Sequence, residues 1–234
     1  MSYQLPAEFQ DILFVLAHPD DADFGAAGTV ARWTREGRRV HYLLCTSGDK
    51  GTPDPTQRPA ELARVREAEQ REAARRLGVA STLFLGRHDG ELEVSLPFRA
   101  EITAVIRRLR PQLVLTFDPW RPYQLHPDHR AVGFTTLDAI IAARDPLYFP
   151  EQQRDGLTAH RVREVWLFAT ENPDVWIDIT ETMEAKLHAL QAHVSQTRDW
   201  AAVEARVRER ARQAGAAYGV RYAEVFKRLE LPLG

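Results

Sequence analysis

Four short, nearly uninterrupted apolar runs, each followed by a stretch of helical character, constrain the fold most strongly. "ILFVLA" (12–17) precedes the Gly- and Ala-rich segment 23–36, and "RVHYLLCT" (39–46) precedes "AELARVREAEQREAARRLG" (60–78). "TLFLG" (82–86) leads to "PFRAEITAVIRRLR" (97–110), and "LVLTF" (113–117) leads to 127–143. Alternation of this kind predicts right-handed βαβ units and an α/β fold with a mainly parallel sheet. Strands without polar interruption suit a sheet covered by helices on both faces. Further along, 144–160 reads as an irregular connection. "EVWLFAT" and "VWIDIT" read as two more strands, the second an edge strand by its alternation. Segment 181–214 reads as one long amphipathic helix and 221–229 as a short closing helix. The 234 residues suit a single domain spanning 1–234.

Within this frame one short signature occurs twice, as "HPDD" at 18–21 and "HPDH" at 126–129. The first directly follows the first strand, and the second follows the fourth after a short loop. Proline suits the first position of a helix, where its missing donor would be unpaired anyway, and it holds the preceding residue extended. Each histidine is therefore expected at a strand-to-helix junction, with acids in the first helical turn. A sheet of order 3-2-1-4 makes strands one and four neighbours at the point where the winding reverses. The crevice at their carboxyl ends is where such sheets bind ligands.

That crevice would gather His18, Asp20, Asp21, His126, Asp128 and His129, three imidazoles and three carboxylates. Nitrogen and oxygen donors in this mixture suit Zn²⁺ or another first-row divalent ion. Three protein ligands leave room for a water whose pKa the metal lowers, and the remaining groups can act as base, electrostatic stabiliser and orienter. The pattern leaves open whether Asp20 or Asp21 is the ligand.

With "AHPDDADFGAAGT", "TSGDKG", "RVREAEQREAARRLGV", "LGRHDGEL", "RPQLVLTFDP", "HPDHRAVG" and "AHVSQT" in place, the chain resembles the PIG-L (LmbE-like) family of zinc-dependent N-acetylglucosaminyl deacetylases. The resemblance spans about residues 12 to 197. It implies a Rossmann-like fold with zinc on His18, Asp21 and His129, Fe²⁺ or another divalent metal being the alternative ion. It further implies Asp20 as general base, His126 as stabiliser of the oxyanion, and Asp128 as the group orienting an imidazole. Arg66, Asp89 and His193 match positions expected to meet the amino-sugar substrate. Where some similar proteins place a tyrosine two residues before the oxyanion histidine, this chain has Gln124, and Tyr123 one step earlier is the candidate contact. Many similar proteins read HPDDE, whereas here Ala22 follows the pair and the acid stands at Asp23. Trp120 and Arg121 are further candidates for the pocket lining.

Composition narrows the function class. A formal charge of −2, with arginines interleaved among glutamates, supplies no footprint for nucleic acid. No apolar window has the length of a membrane span. The lone Cys45 excludes an internal disulfide framework, and the N-terminal segment lacks a signal-peptide pattern, so a cytoplasmic protein is expected. Homo-oligomerisation is left open. The loop "TSGDKGTPDPTQRP" (46–59) lacks the Gly-Lys-Ser/Thr ending of a phosphate loop and reads as a rim or lid. Two rival functions use the same residues: a non-haem Fe(II) oxygenase built on two histidines and a carboxylate, and a sugar-binding module without catalysis.

Overall fold

The computed structural model describes residues 2–231. Its strands are β1 (Asp11–Leu16), β2 (Arg39–Thr46), β3 (Ser81–Arg87), β4 (Leu113–Phe117), β5 (Glu164–Phe168), β6 (Val175–Asp178) and β7 (Ala223–Glu230). The helices are α1 (Asp21–Arg35), α2 (Pro59–Leu77), α3 (Leu96–Leu109), α4 (Pro127–Arg144), α5 (Pro150–Arg154), α6 (Met183–Leu190) and α7 (Trp200–Ala216). The sheet order is β3-β2-β1-β4-β5-β7-β6, with β1 to β5 parallel and β7 antiparallel to both its neighbours. The expected α/β architecture is present, with the winding reversing between β1 and β4 and β6 at the edge.

Helices cover both faces of the sheet. α1 packs against α2 and α6, while α3 packs against α4. The central strands β1, β4 and β5 are buried along nearly their whole length, which is why their sequences carry almost no polar residue. β1 aligns Ile12 with Leu113 and Phe14 with Leu115 of β4, so the two strands end side by side. His18 and the β4–α4 loop leave the sheet together at its carboxyl edge.

Two expectations near the C-terminus are corrected. Segment 221–229 is a strand, β7, inserted between β5 and β6. Its charges pair with neighbouring segments, Lys227 with Asp174 just before β6 and Arg228 with Glu164 of β5. A slot between two strands overrides local propensity. The single helix expected over 181–214 is two helices, α6 and α7. Between them His193 turns inward to Asp23, Thr197 bonds the His193 carbonyl at 2.9 Å, and Asp199 caps α7 by accepting from the Ala202 amide at 3.1 Å. The connection 144–160 also contains the short helix α5.

The two His-Pro-Asp signatures differ locally. At 126–129 the expectation holds: Pro127 is the first residue of α4, and the His126 ring caps the helix by accepting from the Asp128 amide at 3.3 Å. At 18–21 the helix begins only at Asp21, and Asp20 takes a left-handed conformation with φ 93°. That conformation is sparsely populated by residues other than glycine, and Asp and Asn tolerate it best. Asp20 is held there by its amide, which donates to Gln70 Oε1 at 2.8 Å. The Pro19 carbonyl just before it accepts from Arg66 Nη2 at 2.8 Å.

Candidate active site

His18 stands at the centre of the crevice. Its Nε2 lies 3.0 Å from Asp128 Oδ2 and 3.1 Å from Asp89 Oδ1, while its Nδ1 faces Asp21 Oδ2 at 3.7 Å. Asp21 Oδ2 also accepts the backbone amides of Ala17 and His18 at 3.0 and 2.7 Å, and its Oδ1 lies 3.4 Å from His129 Nε2. The His129 ring is sandwiched by stacking on Phe117 at 3.9 Å and on His126 at 4.8 Å between centroids. One sequence-distant cluster thus forms from the two motifs, as the topology requires.

Two donor groups share His18. One ring nitrogen from each of His18, His126 and His129 lies within 4.8 Å of the others, and the same holds for His18, Asp89 and Asp128. Asp21 belongs to neither group: His18 Nδ1 faces its Oδ2 at 3.7 Å, whereas His129 Nε2 faces its other oxygen, Oδ1, at 3.4 Å. Burial opposes a charge on His18, but hydrogen bonds with Asp128, Asp21 and Asp89 outweigh it and push its pKa up to about 12. The carboxylates therefore make this spot strongly attractive to a cation. For Asp21 burial works against ionisation, yet His129 and His18 hold its carboxyl well below the ordinary range.

The remaining groups divide by what they touch. Asp128 is fully buried and accepts the amides of Gly90 at 2.7 Å and Leu92 at 3.2 Å in addition to its contact with His18. A carboxylate so engaged fixes the ring and its tautomer. His126 accepts at Nδ1, which leaves the ring proton of the neutral form on Nε2. Burial, then the charges of His18 and His129, lower the His126 pKa and favour that neutral donor form. Asp20 Oδ2 lies 3.3 Å from Arg66 Nη2, while Asp20 Oδ1 accepts no hydrogen bond among the described residues. Burial raises the Asp20 pKa to about 6 although the Arg66 charge works against the rise.

The candidate substrate contacts separate clearly. Asp89 lies on the crevice wall, 3.1 Å from His18 Nε2 and 3.8 Å from His126 Nε2. Arg66 is 4% exposed and spends its guanidinium on Gly48 O, Pro19 O and Asp20, so it braces the Asp20 turn. His193 is 1% exposed and lies behind the crevice, its Nε2 3.0 Å from Asp23 Oδ2. Tyr123 is 94% exposed at the tip of the β4–α4 loop. The structure therefore brings together Asp89 and the two signature motifs, and leaves Arg66 and His193 one layer back and Tyr123 outside.

Three residues were not singled out as site groups in the sequence. Gln70 links Asp20 to Asp23, accepting the Asp20 amide and donating to Asp23 Oδ2 at 2.8 Å. Its signal was its place one helical turn after Arg66, on the same face of α2. Asp23 was noted only as a displaced acid, and it joins Gln70 to His193. Asp49, in the loop 46–59, accepts the Asp89 amide at 2.8 Å and so fixes the crevice wall. That loop lies at the same end of the sheet as His18, as expected.

Gly48 and Gly51 are required by Arg66. A Cβ on either would overlap Arg66 Nη1, and Gly48 also has φ +65°. Gly51→Ala is expected to displace the guanidinium and loosen the Asp20 turn, lowering kcat/KM about 10- to 100-fold with little change in far-UV circular dichroism. Wild-type turnover by this variant would show that the brace is dispensable.

A cavity of about 340 Å³ opens against Asp21 and His129 and runs toward α7 and β7, walled by Phe24, Phe117 and Phe168. Arg121 lines it as expected, whereas Trp120 lies outside it with its ring edge-on to Phe134.

The family model for GlcNAc-PI de-N-acetylase, PIG-L, matches residues 13–140, which contain both signature motifs. The chain belongs to the PIG-L family. It is 38% identical to a diacetylchitobiose deacetylase of Thermococcus kodakarensis, over 96% of this chain and 86% of that protein. It is 31% identical to a probable N-acetyl-alpha-D-glucosaminyl L-malate deacetylase 2 of Bacillus anthracis, over 79% of this chain and 80% of that protein. Among solved structures, the N,N'-diacetylchitobiose deacetylase of Pyrococcus horikoshii superposes with a TM-score of 0.91 at 34% identity, covering 95% of this chain and 85% of that one. This PIG-L protein has no helix among its described residues that is long and apolar enough to cross a membrane.

Proposed function

We propose that this PIG-L protein hydrolyses the N-acetyl amide of an N-acetylglucosamine-type sugar or glycoside, releasing acetate and a free amine. The observation that carries the reading is the gathering, at the β1/β4 crevice, of His18, Asp21, His126, His129, Asp89 and Asp128, a cluster of nitrogen and oxygen donors that could hold a metal, with Asp20 beside it. His18, Asp21 and His129 would hold one divalent ion, zinc first among the candidates. Bound there, the ion supplies Lewis acidity and acidifies water.

The chain's own residues supply the rest. Asp20 has a free oxygen, Oδ1, to take the proton of the attacking water and later pass it to the departing amine. The His126 Nε2–H would donate to the amide oxygen as negative charge develops there. Asp128 holds the His18 ring, and Asp89 offers an acceptor for a sugar hydroxyl. The names of the relatives support diacetylated chitobiose and N-acetylglucosaminyl glycosides as substrates to examine first.

Dialysis against a chelator is expected to lower amine release from N,N'-diacetylchitobiose and simple N-acetylglucosaminides at least about 100-fold, with recovery on adding Zn²⁺. Elemental analysis should give one metal per chain. Protein that contains metal yet releases no acetate from this panel, or that consumes O₂ instead, would overturn the hydrolytic reading.

A further inference from the structure

The peptide unit joining Pro19 to Asp20 is held at both of its polar ends from one face of α2. Arg66 Nη2 donates to the Pro19 carbonyl at 2.8 Å, and Gln70 Oε1 accepts from the Asp20 amide at 2.8 Å. The two side chains stand one helical turn apart, and both are buried. A peptide is planar, so holding its C=O and its N–H fixes the plane, and with it φ of Asp20. That φ is 93°, in the left-handed region that residues other than glycine avoid. Turning the plane over would carry φ to about −90°, which at a ψ of −20° is a right-handed conformation open to any residue. Asp20 keeps its uncommon conformation because α2 holds the peptide, Arg66 supplying the donor and Gln70 the acceptor.

Gln70 is itself restrained from behind. Its Nε2 donates to Asp23 Oδ2 at 2.8 Å, and the same oxygen lies 3.0 Å from His193 Nε2. A carboxylate only accepts hydrogen bonds, so it takes the NH₂ end of the Gln70 side chain and leaves Oε1 for Asp20. Asp23, Gln70 and His193 are closed to solvent and cannot meet a substrate. The hydrogen-bonded chain they form reaches the crevice at the Asp20 amide.

We propose that Gln70 is a positioning residue for amide hydrolysis, holding the Pro19–Asp20 peptide in the orientation that presents the Asp20 carboxylate to the attacking water. The proposal rests on the deacetylase reading, with Asp20 as the base. Asp23 and His193 aim Gln70, and Arg66 completes the clamp from the carbonyl side. The amide nitrogen is one of the atoms that set the direction of the Asp20 Cβ, so a flipped peptide tilts the carboxylate out of place. Displacement of a reacting group by about 1 Å can cost on the order of 100-fold in rate.

Gln70→Met keeps the length of the side chain and removes both hydrogen bonds. It is expected to lower kcat for N,N'-diacetylchitobiose about 10- to 100-fold, with KM and zinc affinity within about twofold of the wild type. Placed on Asp20→Asn, the same substitution should cost no more than about twofold further, because the group it positions is already gone. A loss of equal size in both backgrounds, or a change in KM alone, would overturn the proposal, since a residue that only supports the fold acts whatever stands at position 20. Exchange of the Asp20 amide proton, followed by nuclear magnetic resonance in the zinc-loaded protein, reads the clamp without turnover. It should be slow in the wild type and at least about tenfold faster in Gln70→Met. Unchanged exchange would overturn the clamp. Should Gln70→Met fail to fold, Gln70→Asn, one methylene short of the Asp20 amide, gives the same readings. Wild-type protein that releases no amine from any acetylated glycoside removes the deacetylase reading, and the exchange rates still decide the clamp.

Discussion

Asp20→Asn is expected to lower kcat about 10²- to 10⁴-fold while leaving metal content and KM close to those of the wild type. Asparagine is the informative replacement because of the backbone. Asp20 sits at φ 93°, a conformation that asparagine tolerates and alanine adopts only at a cost of about 1–2 kcal/mol. An asparagine keeps the amide that donates to Gln70 and an oxygen that can face Arg66, so the turn and the helix start survive. What it loses is the ability to accept a proton. Asp20→Ala would mix that loss with a relaxed turn and a partly released Arg66. Activity of Asp20→Asn within threefold of wild type, at full metal occupancy, would remove Asp20 as the base and direct attention to Asp89, the other wall carboxylate near His126.

The parts legible in the sequence are those that local pattern encodes. Uninterrupted apolar runs followed by helical segments identified the parallel strands, and the paired His-Pro-Asp motifs located the crevice before any coordinates. The doubly wound order 3-2-1-4 then supplied the reason residues 18 and 126 come together. Much of the C-terminal part was not legible, because its partners lie far away in the chain. The run 223–230 has the charge spacing of a helix and becomes a strand only because β5 and β6 leave a slot for it, with Glu164 waiting for Arg228. The break between α6 and α7 depends on His193 finding Asp23, 170 positions earlier.

The same limit explains the site residues. A histidine or arginine in a matching position signals proximity to the crevice, but its exposure depends on what stands in front of it. Arg66 is covered by the loop carrying Gly48 and Gly51, and His193 by Asp23 and Gln70. Both therefore connect to Asp20, the first directly and the second along the hydrogen-bonded chain His193–Asp23–Gln70–Asp20. Tyr123 illustrates the opposite case, since adjacency in sequence to His126 places it on a loop tip that faces solvent.

Asp21→Asn should fail differently from Asp20→Asn, and the contrast is the sharper test of the two-aspartate arrangement. An asparagine oxygen can still accept the amides of Ala17 and His18, so the start of α1 should hold. Its NH₂ group would then face His129 in place of Asp21 Oδ1, which lies 3.4 Å from that ring in the wild type. A donor dipole replaces an anion where a cation belongs, so metal affinity should fall by more than the roughly 10- to 100-fold typical of losing an orienting partner. At equimolar zinc kcat/KM should drop at least about 10³-fold, and excess zinc should recover part of it, whereas Asp20→Asn should not respond. Stability gives a readout free of turnover. Zinc at about 1,000 times its Kd stabilises the wild type by about 4 kcal/mol, seen as a rise in Tm, and the same concentration should shift Asp21→Asn far less. An unchanged zinc-induced rise in Tm would transfer the ligand role to one of the two donor groups that lack Asp21, His18 with His126 and His129 or His18 with Asp89 and Asp128.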